Sequence, residues 1–150
     1  MSVAGFNLRV YAVIVNEENE VLLSDEFRFG KFFTKFPGGG VEFGEGVLEA
    51  LKRELREELG LQLNDYSLFY VNDFYQVSAF DKSQQLISFY YLSIVNKQSI
   101  STESYEIPFY DNGEKQRWQN IDLLSEDDFT FPVDKVALDK LKTYIKSIRG

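Results

Sequence analysis

Three carboxylates, Glu54, Glu57 and Glu58, fall within little more than one helical turn in the stretch Leu51-Lys52-Arg53-Glu54-Leu55-Arg56-Glu57-Glu58-Leu59. On a wheel of 100° per residue they share an arc of about 100°, next to the arc of about 80° that holds Leu48, Leu51, Leu55 and Leu59. Each like-charged pair at that spacing destabilises a helix by roughly 0.2–0.5 kcal/mol, and Arg53, four after Glu49 and four before Glu57, is the cation placed to offset it. A hard divalent cation would offset it better. The chain contains no His and no Cys, so ligation falls to oxygen alone, which points to Mg²⁺ or Mn²⁺ rather than zinc, with Ca²⁺ suited to a roomier site. A solvated charged face would explain the glutamates equally well on the helix alone. The glycines upstream tip the balance, because a Gly-rich loop running into the helix can bring a backbone carbonyl to the same cation.

The elements that must position these groups are legible around them. Leu48, Leu51, Leu55 and Leu59 recur at the helical period, so a helix is expected over Gly46 to Leu59, ended by Gly60 as a C′ glycine. The triplet Gly38-Gly39-Gly40 after Pro37 is expected to be a loop. Phe6 to Val15 and Val21 to Leu23, separated by the polar run Asn16 to Glu20, form an expected β-hairpin. Phe32 to Phe36 reads as a short strand. Tyr66 to Val77 and Leu86 to Val95 read as two longer strands that pair through the polar stretch Asp81 to Gln84. The segment from Asn96 to Gly113 is polar and irregular, and Lys115 to Asn120 around Trp118 is a further strand. Val133, Val136, Ala137, Leu141, Tyr144, Ile145 and Ile148 follow helical spacing after Pro132 and predict a carboxy-terminal helix. Strands interleaved with two amphipathic helices predict an α/β layered domain, its sheet covered on both faces.

Composition bounds the rest. The 150 residues are about one domain's worth, with no repeat or low-complexity tract, so residues 1–150 are expected to form a single domain. A formal charge of −8 repels phosphate backbones, which argues against a nucleic-acid or anionic-membrane binder and means that cations must mediate any phosphate chemistry. Without Cys or His, thiolate nucleophiles, Ser-His-Asp catalysis and nitrogen-ligated metals are excluded. Carboxylate chemistry remains. The longest strongly apolar run, Val10 to Val15, is far short of the roughly 20 residues that span a bilayer, and Met1 to Arg9 lack the pattern of a signal peptide. A soluble, cytoplasmic protein is expected.

Two phosphate loops fail on inspection. A Walker loop would need Lys and then Ser or Thr after Gly39-x₄-Gly44, where Glu45 and Gly46 stand; a dinucleotide fingerprint from Gly38-x-Gly40 would need glycine at Phe43. The pattern Gly39-x₅-Glu45-x₇-Arg53-Glu54-Leu55-x-Glu57-Glu58-x-Gly60-Leu61 instead resembles a complete Nudix box. With each fixed residue type at about one in fifteen, chance supplies it on the order of once in 10⁸ starting points. The resemblance implies a Nudix-type α/β/α sandwich with a central mixed β-sheet, and Mg²⁺- or Mn²⁺-dependent hydrolysis of a nucleoside diphosphate linked to another moiety X. It implies metal ligands at Glu54, Glu57, Glu58 and the Gly39 carbonyl, with Arg53 orienting a box carboxylate and Glu45 fixing the loop. Glu114, four before Trp118, is the candidate for an additional metal ligand or base, with Asp111 second.

With no His, the proton from the attacking water must go to a carboxylate; Glu54, Glu57, Glu103 and Glu106 are the candidates. No subfamily signature for X is complete: Glu26 stands where the coenzyme A signature expects Arg, and Tyr75, Gln76 and Val77 stand where the ADP-ribose signature expects Pro. Phe6, Phe32, Phe74 and Tyr75 are aromatic residues that could stack on a base. The expected partner is a small-molecule nucleotide, with no nucleic acid and no membrane, since no basic groove is evident for RNA; the family's habit implies a homodimer. The alternative is a non-catalytic nucleotide-sensing module on the same fold, which the full set of box carboxylates disfavours.

Overall fold

Local turn chemistry sets the first hairpin. Asn16 Oδ1 accepts from the backbone N–H groups of Glu18 (2.8 Å) and Glu20 (3.2 Å), and Asn19 takes a left-handed φ of 60°, a conformation that Asn tolerates better than most residues. The computed structural model describes residues 2–149. Along the chain run β1 (Gly5–Asn16), β2 (Glu20–Arg28), β3 (Lys31–Lys35), β4 (Gly38–Gly40), α1 (Val47–Leu59), β5 (Ser67–Val71), β6 (Gln84–Val95), β7 (Gly113–Asn120) and α2 (Pro132–Arg149). One seven-stranded sheet takes the order β3-β2-β1-β6-β5, with β4 also pairing β1 and β7 also pairing β2. The α/β class is the one expected. Among the described residues no helix is long and apolar enough to cross a membrane.

Two compact units share these elements: one runs to Ala12 and resumes over Gly38–Ser93, the other holds Val13–Pro37 and the chain from Ile94 onward. In the first unit, α1 buries Ala50, Leu51 and Leu55. Full burial of each leucine contributes roughly 1.5–3 kcal/mol. Tyr90 of β6 is buried between Tyr11 and Tyr70, with ring centroids 5.2 and 5.8 Å away.

In the second unit, β2 is held along both edges, by β3 from Ser24 to Arg28 and by β7 from Glu20 to Phe27, both antiparallel. Its residues Val21 to Glu26 are all buried, so its sequence reads as a continuous run rather than an alternating one. α2 buries Val133, Ala137, Leu138, Leu141 and Ile145, whereas Ile148, expected on the same stripe, is exposed.

Two sequence expectations need correction. Gly38 to Gly40 is not a loop but β4, which pairs Gly38, Gly39 and Gly40 with Tyr11, Val10 and Arg9 of β1. Bare backbone is what permits the approach: a Cβ on Gly38, at φ 147°, would sit 2.1 Å from the Val10 carbonyl oxygen. The strand expected over Tyr66 to Val77 ends at Val71, apart from a lone bridge between Val77 and Gln85. Asn72 ends it. Its side-chain amide accepts from Ser88 N (2.7 Å) and donates to Leu86 O (3.2 Å), taking hydrogen bonds on β6 in place of the backbone, and it also donates to Phe74 O (3.1 Å) in the turn that follows.

Candidate active site

The box helix is closed at both ends by its own sequence. Gly46 N–H donates to Glu49 Oε1 at 2.9 Å, which draws Glu49 away from Arg53. Gly60, at φ 63°, donates to Arg56 O while Leu61 N–H donates to Leu55 O, the paired closure that a left-handed C′ residue allows.

Arg53 organises the rest. Its Nε and Nη2 grip Glu45 in a fork at 2.9 and 2.7 Å, Nη1 donates to Glu54 (3.0 Å) and Glu57 (3.3 Å), and Nη2 also reaches the Gly40 carbonyl at 2.9 Å. The fork holds the Glu45 carboxyl down at about 2, and the carboxylates in turn raise the Arg53 guanidinium above its ordinary range. Glu42 N–H donates to Glu45 Oε1, so one carboxylate ties the turn before α1 to the middle of the helix.

Glu54 and Glu57 meet the same guanidinium nitrogen from different surroundings. The Glu54 side chain is 13% exposed and that of Glu57 is 58% exposed. Glu54 lies against Gly39: a Cβ built on that glycine would sit 2.6–2.7 Å from all three carboxylate atoms. Glu58 is half-buried one residue further on. The oxygen-only donors and the absent Gly39 side chain fit a hard cation, since the carboxylate lies directly against strand backbone. Among the described residues, however, no three acidic side chains already converge at the spacing of a metal cage. Arg53 instead holds Glu54 and Glu57 on one guanidinium nitrogen.

The remaining candidates sit in the second unit. Glu114, on β7, lies opposite Glu26 of β2 and is half-buried, its Oε2 enclosed without a hydrogen-bond partner. Burial, and then the Glu26 charge, raise its pKa. Glu26 is itself held by Lys35 (3.0 Å) and Arg28 (2.9 Å). Asp111, Glu103 and Glu106 are exposed on the segment before β7. Glu103 lines an open cavity of about 330 Å³ with Lys97, Tyr105, Arg117 and Trp118.

Sequence reasoning missed the cluster around Asp25. This fully buried carboxylate accepts from Thr34 Oγ1 (2.6 Å), Tyr105 Oη (2.6 Å) and Arg117 Nε (2.7 Å). Burial first and the Asp25 hydrogen bond next push the Tyr105 phenol above its ordinary value. The available signal was a run of charges, Asp25 and Glu26, close after the apolar stretch Val21 to Leu23. Such residues are rarely buried unless paired.

A NUDIX domain model matches residues 5–142. An RNA pyrophosphohydrolase of Ruthia magnifica subsp. Calyptogena magnifica is 39% identical over 64 residues, 43% of this chain and 35% of that protein. The chain thus spans only about a third of that relative's length. One of Francisella tularensis subsp. mediasiatica is 26% identical over 156 aligned positions, covering 97% of this chain and 92% of the relative. Among solved structures, a NUDIX hydrolase from Nitrosomonas europaea superposes with a TM-score of 0.68 at 22% identity, covering 92% of this chain and 89% of that one. At that identity the likeness shows the fold.

Proposed function

The chain belongs to the Nudix family, and from that premise we propose that it is a divalent-cation-dependent pyrophosphohydrolase that cleaves a nucleoside diphosphate from a linked moiety X. The observation that carries the reading is the Arg53 hub, which gathers Glu45, Glu54, Glu57 and the Gly40 carbonyl at the end of β4. Glu54, Glu57, Glu58 and the Gly39 carbonyl would hold Mg²⁺ or Mn²⁺. A cation held there would supply charge neutralisation at the phosphate oxygens and activation of the attacking water.

The protein's own share is positioning. Arg53 fixes Glu54 against Gly39 and tethers the more exposed Glu57, so that at least one donor is placed in advance. Glu45 keeps Arg53 from swinging away. The general base is a carboxylate among Glu54, Glu57, Glu103 and Glu106, and Glu114 is the candidate for an added ligand or base. Its raised pKa suits a proton acceptor better than an ordinary glutamate. We take the two compact units as parts of one domain, since the family model spans both, and we take the working form as a cytoplasmic homodimer.

A small nucleotide is the favoured substrate. The relatives' own name supports a second reading, a triphosphate-ended RNA. The test is release of phosphate and pyrophosphate from nucleoside triphosphates, nucleotide sugars, ADP-ribose, dinucleoside polyphosphates and a 5′-triphosphate RNA, with and without Mg²⁺. Glu57→Gln is expected to lower turnover by about 100-fold or more while the fold persists. Parental kcat in that variant, or release that ignores Mg²⁺, would sink the reading.

A further inference from the structure

The cations that line the open cavity of the second unit are already matched within the protein. Lys97 is held by Glu20 at 2.9 Å and by Glu18 at 3.5 Å. Arg117 is bound from behind by the fully buried Asp25, at 2.7 Å through Nε and 3.5 Å through Nη2, and its Nη1 donates to Gln119 at 3.0 Å. Tyr105 Oη donates to the same Asp25 carboxylate at 2.6 Å. With both positive charges answered by carboxylates, the cavity is a poor match for a bare phosphate.

What the walls have left to offer is narrow in kind. Thr102, Glu103 and Ser104 are exposed, and among the described residues their side chains engage no partner. They supply two hydroxyls, which both donate and accept, and one carboxylate, which accepts. Trp118 spends its single N–H on the Ile100 carbonyl at 3.3 Å, so ring carbon is what it presents to the cavity. A ligand matched to these walls has one apolar face for an indole and a rim of groups that donate and accept. A sugar ring has that form, with C–H groups on one face and hydroxyls around its edge. A flat nucleobase is apolar on both faces, and it would cover hydroxyls and a carboxylate that then lose water without gaining a hydrogen bond. The volume of about 330 Å³ lies at the small end of the range for ligand pockets, which suits one ring rather than a whole nucleotide.

We propose that this cavity binds a single sugar ring laid on Trp118, with Glu103 accepting from its hydroxyls and Thr102 and Ser104 completing the rim. The ring is either a free sugar or the sugar of a nucleotide sugar, since both present the same surface. Neither a metal nor the carboxylates of α1 take part, so the assignment goes beyond the hydrolase reading and stands without it.

Trp118 is the one tryptophan of the chain, so its indole N–H gives a single side-chain peak in a proton-nitrogen correlation spectrum of the whole protein. Titration with D-glucose, D-mannose, D-ribose, UDP-glucose, UDP and the open-chain polyol sorbitol, in EDTA so that nothing turns over, tests the assignment. A ring sugar or UDP-glucose is expected to shift that peak saturably, whereas UDP and sorbitol leave it in place. Saturation by a free sugar identifies the free form as sufficient; saturation by UDP-glucose alone identifies the nucleotide-linked form. Glu103→Ala, at an exposed position, is expected to weaken whichever binds by about 10-fold or more. Should that variant fail to fold, Thr102→Val carries the comparison. An equal shift with sorbitol, a shift with UDP that matches UDP-glucose, no shift with any probe, or parental affinity in the variant overturns the assignment. Failure of the hydrolase reading looks different: the indole peak still shifts with sugar while no diphosphate is cleaved when Mg²⁺ is supplied.

Discussion

Single side chains differ here in how far their position is fixed by charge. Glu114 is the least settled of them, a carboxyl whose pKa burial and Glu26 raise although Lys35 and Arg28 pull it back. An acid with a raised folded-state pKa costs stability once it is ionised in the folded protein. The cost disappears below about 4.5, where the unfolded carboxyl is protonated as well. Glu114→Gln is therefore expected to melt higher than the parent at neutral pH, with the gain shrinking as pH falls through that range. A lower melting temperature at neutral pH would mean that Glu114 is chiefly an ion-pair partner. At this scale the sequence was informative where chemistry is local. Glu54, Glu57 and Glu58 sit within one stretch of helix, so spacing alone grouped them with Arg53. Asp25 and Arg117 are 92 residues apart in sequence, and nothing in either neighbourhood announces the other.

Elements were legible where period and punctuation agree. The four leucines of α1 and the glycine after it define one helix, and the hairpin turn carries its own Asn signals. Gly60 holds φ 63°, and a Cβ added there would find no atom within 4 Å, so Gly60→Ala meets no clash and tests conformation alone. The substitution is expected to destabilise by about 1–2 kcal/mol, the usual cost of a left-handed L-residue, read as a lower urea midpoint with an unchanged m-value. Stability equal to the parent would show that the helix end relaxes. β4 was illegible for the same reason it exists: glycine has little strand propensity, and what makes Gly38 to Gly40 a strand is a partner far away in sequence, Arg9 to Tyr11. The far end of β5 was misread because Val71 to Val77 has strand composition, while one amide, Asn72, diverts the ladder.

For the whole molecule, the formal charge of −8 means that folding gathers anions, which a divalent cation bound as proposed would relieve. Free Mg²⁺ at 100 times its dissociation constant should stabilise the protein by about 2.7 kcal/mol, seen as a rise in melting temperature that EDTA reverses. Glu57→Gln should lose most of that rise. An unchanged melting temperature across millimolar Mg²⁺ would argue against a site made of these carboxylates. The glycine strand also limits how the sequence can drift. Position 38 rejects every side chain because backbone already occupies the space, so a change there is read by the cell as lost protein. At position 39 the space is taken by the Glu54 carboxylate, the far end of a flexible side chain, so a change there is expected to displace Glu54 and to lower activity more than stability. Two adjacent, chemically identical residues thus meet two different obstacles, fixed backbone at one and a movable carboxylate at the other.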